Sequence, residues 1–196
     1  MTQKVRTGGI IYPDSEKDKP WNLWERNVKD KYKSFSTEDI KSDLKKTALP
    51  YAVLMSQISG DFNFSCIIRT ANNFNLSTVY YFGNKRYDKR GAQGTYHYSD
   101  VVFIPTLNEI VDLKQQYKFI GLENNIANTV PIKDFVWPDN TLLILGEEGT
   151  GIPPEIVDLL DYKVEIPSIG SVRSINVASA AAIAIYDFVS KFNNKR

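Results

Sequence analysis

Thr141-Leu142-Leu143-Ile144-Leu145-Gly146-Glu147-Glu148-Gly149-Thr150-Gly151 is the stretch whose reading decides the fold. Its apolar run has none of the polar alternation of a half-solvated strand, so it predicts a strand covered on both faces, as in a parallel sheet flanked by helices. The glycines that follow predict a tight loop at the strand's carboxyl end, where positive φ and close backbone approach are permitted. Working outward, strands are expected at Tyr51–Ile58, Thr78–Phe82, Val101–Ile104, Lys118–Glu123 and Lys163–Ile166. Helical spacing is expected at Phe64–Phe74, Leu107–Gln116, Pro154–Leu160 and Asn176–Phe192, and a short helix from Ser36 that Pro50 ends. The fold class is therefore α/β, a mostly parallel sheet with helices on both faces.

Composition narrows the function classes. The chain has 196 residues, 42% hydrophobic and 24% charged, which suits one α/β domain with an appendage. No run approaches the ~18 apolar residues of a membrane span, so no membrane partner is expected and a cytoplasmic location follows as the default. One cysteine, Cys66, excludes an internal disulfide and a multi-cysteine metal site, and one histidine, His97, leaves no two-histidine site. No metal is expected. Cys66 reads as small core packing and His97 as a loop residue without a catalytic duty.

The net charge is +1 but unevenly spread. Residues 1–46 carry 11 Lys/Arg against 8 Asp/Glu and are read as an N-terminal extension preceding a domain at 47–196. That arm interleaves Trp21, Trp24, Tyr32 and Phe35 with Lys29, Lys31 and Lys33. Such a mixture suits stacking on bases and neutralising phosphates, although aromatics packed on the main body are the plainer reading. The loop Lys85-Arg86-Tyr87-Asp88-Lys89-Arg90 is strongly basic, and Lys85, Arg86, Lys89 and Arg90 are candidate RNA contacts unless the loop is simply a solvated turn.

The first glycine loop is no phosphate-cradling P-loop, because no Lys-Ser or Lys-Thr follows it, and no Gly-x-Gly-x-x-Gly opens a helix after the first strand. Two further segments belong beside it. In Asp61-Phe62-Asn63-Phe64-Ser65-Cys66-Ile67-Ile68-Arg69-Thr70-Ala71, Asn63 suits a helix start and Arg69 interrupts an apolar turn, which calls for an anionic partner or a structural ion pair. The other runs from Val164-Glu165-Ile166-Pro167 through Gly170 to Arg173-Ser174-Ile175-Asn176-Val177-Ala178-Ser179-Ala180, opening an alanine-rich helix.

Together, from about Tyr51 to Phe188, the three segments resemble the motifs of the SpoU (TrmH) branch of the SPOUT RNA methyltransferases. The resemblance implies a deep trefoil knot at the C-terminal end and an S-adenosylmethionine site in its loops, at Leu122, Gly146, Ile166, Ser174 and Ile175. It also implies transfer to a ribose 2′-hydroxyl of RNA, either tRNA or rRNA. Arg69 is then the catalytic candidate, with Asn63, Glu148, Ser174 and Asn176 positioning it, the ribose and the loops. A homodimer is implied too, formed where the terminal helix and the first-motif helix meet across the two-fold. Ser65 and Asn75 stand where the family commonly has glycine, and Glu147 where asparagine is frequent; these departures are the support for a competing expectation, a non-catalytic RNA-binding or assembly factor that keeps the fold. Both Ser65 and Asn75 suit the backbone, since serine is small and asparagine tolerates positive φ.

Overall fold

The computed structural model describes residues 4–6, 10–12, 26–58, 62–147 and 149–193. It divides into two compact units, Met1–Ser36 and Thr37–Arg196. In the first, β1 (Lys4–Arg6) and β2 (Ile10–Tyr12) pair antiparallel, a hairpin of three-residue strands too short to be expected from the sequence. A 3-10 turn at Asp30–Tyr32 follows. There the Arg26 guanidinium donates to the Phe35 carbonyl (2.7 Å), and the Tyr32 and Phe35 rings meet edge-on at 5.7 Å with the Lys31 ammonium 4.4 Å from the Tyr32 centroid. Trp21 and Trp24 lie outside the described residues.

The second unit opens with α1 (Thr37–Lys46), which the sequence reading had grouped with the extension. Then come β3 (Leu49–Ile58), α2 (Phe62–Asn73), β4 (Leu76–Gly83), β5 (Val101–Ile104) and α3 (Leu107–Asp112), which tightens into a 3-10 turn at Leu113–Gln115. β6 (Lys118–Leu122), β7 (Val130–Pro131), β8 (Thr141–Leu145), α4 (Pro154–Val157), β9 (Tyr162–Glu165) and α5 (Val177–Asn193) complete it. The seven strands β3 to β9 form one sheet in the order β5-β4-β3-β8-β6-β9-β7, and every pairing is parallel.

Alternation along the central strands feeds two cores. Tyr51, Val53 and Met55 of β3 and Leu143 and Leu145 of β8 face one side, where Phe64, Ile67, Ile68 and Ala71 of α2 meet Ala181, Ala184, Ile185 and Phe188 of α5. Ala52 and Leu54 of β3 and Leu142 and Ile144 of β8 face the other side, under Ile110 of α3 and Ile156 of α4. All five residues of β8 are buried, which is why the run reads as continuously apolar. The small residues of α5 let it lie close on α2 within one subunit, at ~1.5–3 kcal/mol for each large apolar side chain buried there.

The order also sets where a ligand can sit. β8 enters between β3 and β6, and β9 between β6 and β7, so the chain returns twice into slots flanked by strands laid down earlier. Loops leaving such strands at their carboxyl ends form the crevice of an open α/β sheet. Among the described residues, no helix is long and apolar enough to cross a membrane.

Candidate active site

Three neighbouring strand ends, those of β6, β8 and β9, carry the loops that enclose a cavity of about 630 Å³. Leu122, Leu145, Ile152 and Ile166 give it apolar walls, and Ser174, Ile175 and Asn176 form an exposed rim. Leu122, Gly146, Ile166, Ser174 and Ile175, named from the sequence as cofactor residues, all line this one space.

Backbone sterics fix its middle wall. At Gly146 a Cβ would stand 2.2 Å from the Gly151 carbonyl carbon and 2.4 Å from the Ile152 nitrogen, so no other residue fits without moving the loop. The loop closes on itself: the Glu147 N–H donates to the Gly151 carbonyl (3.2 Å), the Gly151 N–H donates to the Glu147 carbonyl (2.9 Å), and Gly151 takes a φ of +72°. The Glu147 carboxylate accepts from the Thr150 hydroxyl at 3.0 Å, which gives this departure from the family pattern a local structural task. Glu148 lies outside the described residues.

Leu122 at the end of β6 is named from the sequence, but the residues that continue this wall, Glu123-Asn124-Asn125, are not, because they carry no glycine signature. The signal that could have found it is the placement of three polar residues directly after a buried strand end. The Asn124 side chain acts as an extra rung between β6 and the segment after β9: its Nδ2 donates to the Ile166 carbonyl (2.9 Å) and its Oδ1 accepts from the Ile166 N–H (3.2 Å). Both backbone groups of Ile166 are thereby held at the cavity's edge.

Asn63 and Asn176, 113 residues apart, meet directly. Asn176 Nδ2 donates to Asn63 Oδ1 at 2.9 Å, while Asn176 Oδ1 accepts from the backbone N–H groups of Ala178 (3.0 Å) and Ser179 (3.3 Å). One asparagine thus caps α5 and ties its start to the first turn of α2. Arg69 is elsewhere. Six residues along a helix are about 600° of turn and ~9 Å of rise, which places it about 120° around α2 from Asn63. It is exposed, does not line the cavity, and makes no hydrogen bond or ion pair among the described residues, so no structural ion pair accounts for it.

The two glycine replacements are absorbed locally. Ser65 is buried, its hydroxyl donates to the Phe62 carbonyl (2.9 Å), and it rests against Gly91, where a Cβ would come within 2.3 Å of the hydroxyl. Asn75 takes a φ of +53°, as its residue type permits, and donates to the Leu44 carbonyl and the Thr47 hydroxyl at 3.1 Å each. In the basic loop all four cations are exposed. Arg90 is paired with Asp88 and holds that carboxyl below its usual range. The Lys85 and Lys89 ammoniums lie 5.7 Å and 4.9 Å from the Phe103 and Tyr96 ring centroids. Tyr87 packs edge-on against Phe64 at 4.8 Å, and burial raises its hydroxyl pKa, so its ring is already used in the core.

Comparison with known proteins matches this arrangement to one family. The family model described as "SpoU rRNA Methylase family" matches residues 50–186. The tRNA (guanosine(18)-2'-O)-methyltransferase of Aquifex aeolicus is 28% identical over 156 residues, covering 76% of this chain and 72% of the relative. The solved structure of the A. aeolicus TrmH/SpoU tRNA modifying enzyme superposes with a TM-score of 0.72 at 22% identity, over 81% of this chain and 83% of that one. That of the SpoU methyltransferase AviRb from Streptomyces viridochromogenes, in complex with the cofactor AdoMet, gives 0.66 at 24% identity over 74% and 58%. With seven-tenths of its length inside the family model and a fold that superposes on these enzymes, the chain belongs to the SpoU rRNA methylase family of RNA methyltransferases.

Proposed function

We propose that the chain is an S-adenosylmethionine-dependent RNA methyltransferase that acts on a ribose 2′-hydroxyl of a tRNA or an rRNA and works as a homodimer. The observation that carries this reading is the lining of the cavity. Among the described residues it contains two carboxylates, Glu123 and Glu147, and no lysine or arginine. A polyphosphate nucleotide requires cations or a cradle of amides, whereas a nucleoside bearing a sulfonium charge suits apolar walls edged with carboxylates. The name of the A. aeolicus relative supports ribose as the acceptor.

Leu122, Gly146, Ile166, Ser174 and Ile175 would hold the cofactor, chiefly through backbone groups and apolar contact. Bound there, S-adenosylmethionine supplies an activated methyl group. The protein's own task is to align a ribose hydroxyl with it and to ease loss of that hydroxyl's proton. Arg69 carries a guanidinium that keeps its proton, a poor base but a good bidentate clamp. It grips the phosphate beside the target ribose and lowers the hydroxyl's effective pKa, with that phosphate as a candidate proton acceptor. Asn63, Ser174, Asn176 and Glu148 position the ribose, Arg69 and the loops, and Lys85, Arg86, Lys89 and Arg90 track the RNA backbone.

A second copy completes the site in this reading. Helix α5, packed on α2, presents Ile183 and Tyr186, 42% and 64% exposed, a face suited to a two-fold partner. The late insertion of β8 and β9 between earlier strands supports the trefoil knot. The domain is read as 47–196 with residues 1–46 as an N-terminal extension, in a cytoplasmic enzyme.

The test is transfer of labelled methyl groups to total RNA, followed by nuclease digestion. A ribose methyl blocks the adjacent phosphodiester, so the label is expected in resistant dinucleotides. Label released as a methylated base, or no transfer, contradicts the reading.

A further inference from the structure

Glu123 counts in the scheme above only as one of two carboxylates at the cavity, with no ligand group assigned to it. Its Oε1 accepts from the backbone N–H groups of Asn124 (2.9 Å) and Asn125 (3.2 Å) and from the Asn125 side-chain amide (3.3 Å). Three donors on one oxygen fix how the carboxylate is turned. Its Oε2 accepts no hydrogen bond among the described residues and lies over Gly151, where a Cβ would approach it to 2.6 Å. The absence of a side chain at Gly151 is what leaves this oxygen room. The Asn124 amide, clamped to Ile166, makes the shelf beneath it rigid.

The cavity grades from a buried apolar floor, Leu122 and Ile152, to the exposed rim at Ser174–Asn176. A purine requires the floor, and a zwitterionic amino-acid end is least desolvated at the rim. A nucleoside's sugar, joined to the purine, therefore lies beside the floor, and Glu123 borders it directly after Leu122. A preoriented carboxylate oxygen with open lone pairs accepts hydroxyl protons. We propose that Glu123 Oε2 binds the ribose hydroxyls of the cofactor, with Asn124 and Asn125 as positioning residues. This rests on the cofactor reading of the cavity.

Glu123→Gln is a clean probe, because glutamine keeps the oxygen that serves the three scaffold bonds and replaces only Oε2 by a donor. The full chain is titrated with S-adenosylmethionine and with 5′-methylthioadenosine, which keeps the adenine and ribose but lacks the amino-acid end. Both are expected to bind the variant about 10- to 100-fold more weakly, with the ligand-free melting midpoint unchanged. A loss confined to S-adenosylmethionine would move the carboxylate to the amino-acid end and overturn the proposal. So would a change under about threefold for both ligands, or a fallen midpoint, which marks a scaffold role. If the unsubstituted chain takes up neither ligand, the cofactor reading itself falls, and this inference with it.

Discussion

The loops at the ends of β6, β8 and β9 and the outer face of α2 are both marked by family motifs, yet they are built to opposite degrees. Around the cavity, backbone positions are over-determined: Gly146 admits no side chain, Gly151 is held by two hydrogen bonds to Glu147, and Ile166 is clamped at N–H and C=O by Asn124. On α2, Arg69 is exposed and unpartnered among the described residues. In the proposed reading, the contrast separates a cofactor half finished within one chain from an acceptor half left open to RNA and a second copy. On that reading, preorganisation is spent where the small ligand would bind, while the cation proposed to grip phosphate keeps its donors free.

The finished half is broken most severely at Gly146. Gly146→Ala drives a methyl group into the Gly151–Ile152 backbone, and cofactor affinity measured by titration is expected to fall more than about 100-fold, through ~3 kcal/mol of forced backbone movement. Unchanged affinity would show that the loop is not the rigid wall described.

The open half is sharpened by Arg69→Lys, which keeps the charge but loses the fork. Turnover is expected to drop by about tenfold or more while cofactor affinity stays the same. Activity within about threefold of wild type, under about 0.7 kcal/mol of barrier, would remove the bidentate grip from the mechanism.

A smaller effect is expected at Arg86, whose side chain makes no ion pair or ring contact among the described residues, unlike Arg90. Arg86→Ala should lower RNA affinity modestly and reduce the slope of log affinity against log salt by ~0.7–0.9, the share of one phosphate contact. An unaltered slope would leave the loop a solvated turn.

Much of the sheet was legible in its apolar runs: Leu142–Leu145, buried on both faces, and Val101–Ile104, an edge strand with Val102 exposed, are strands within the bounds those runs mark. Pro50 misled the boundary. It was read as ending a helix, but β3 begins at Leu49 and the proline sits at a register shift between Leu49 and Ala52, where a missing N–H costs the ladder nothing. The two-residue β7 and the 3-10 tightening after α3 leave no periodicity to read. In the site, the glycine loops announced themselves by residue type, whereas the cap did not: the sequence points to Asn63 at a helix start, but Asn63 lies inside α2 and the asparagine that caps a helix is Asn176. The Asn63–Asn176 contact and the Asn124 clamp were not legible either, because each joins residues distant in sequence through side-chain amides whose partners only the sheet order brings together. Arg69 was legible as an interruption of an apolar stripe, but its open surroundings depend on helix rotation and packing.

The division of labour between the two halves is tested most directly by mixing subunits. An Arg69→Ala subunit keeps the cavity, and a Gly146→Ala subunit keeps the arginine; each is expected to be inactive alone. If Arg69 serves the partner's cavity, randomly mixed dimers regain about a quarter of wild-type methyl transfer, since about half are mixed and each of those has one complete site. Mixtures that remain as inactive as their parents would contradict a shared site and return Arg69 to the cavity of its own chain.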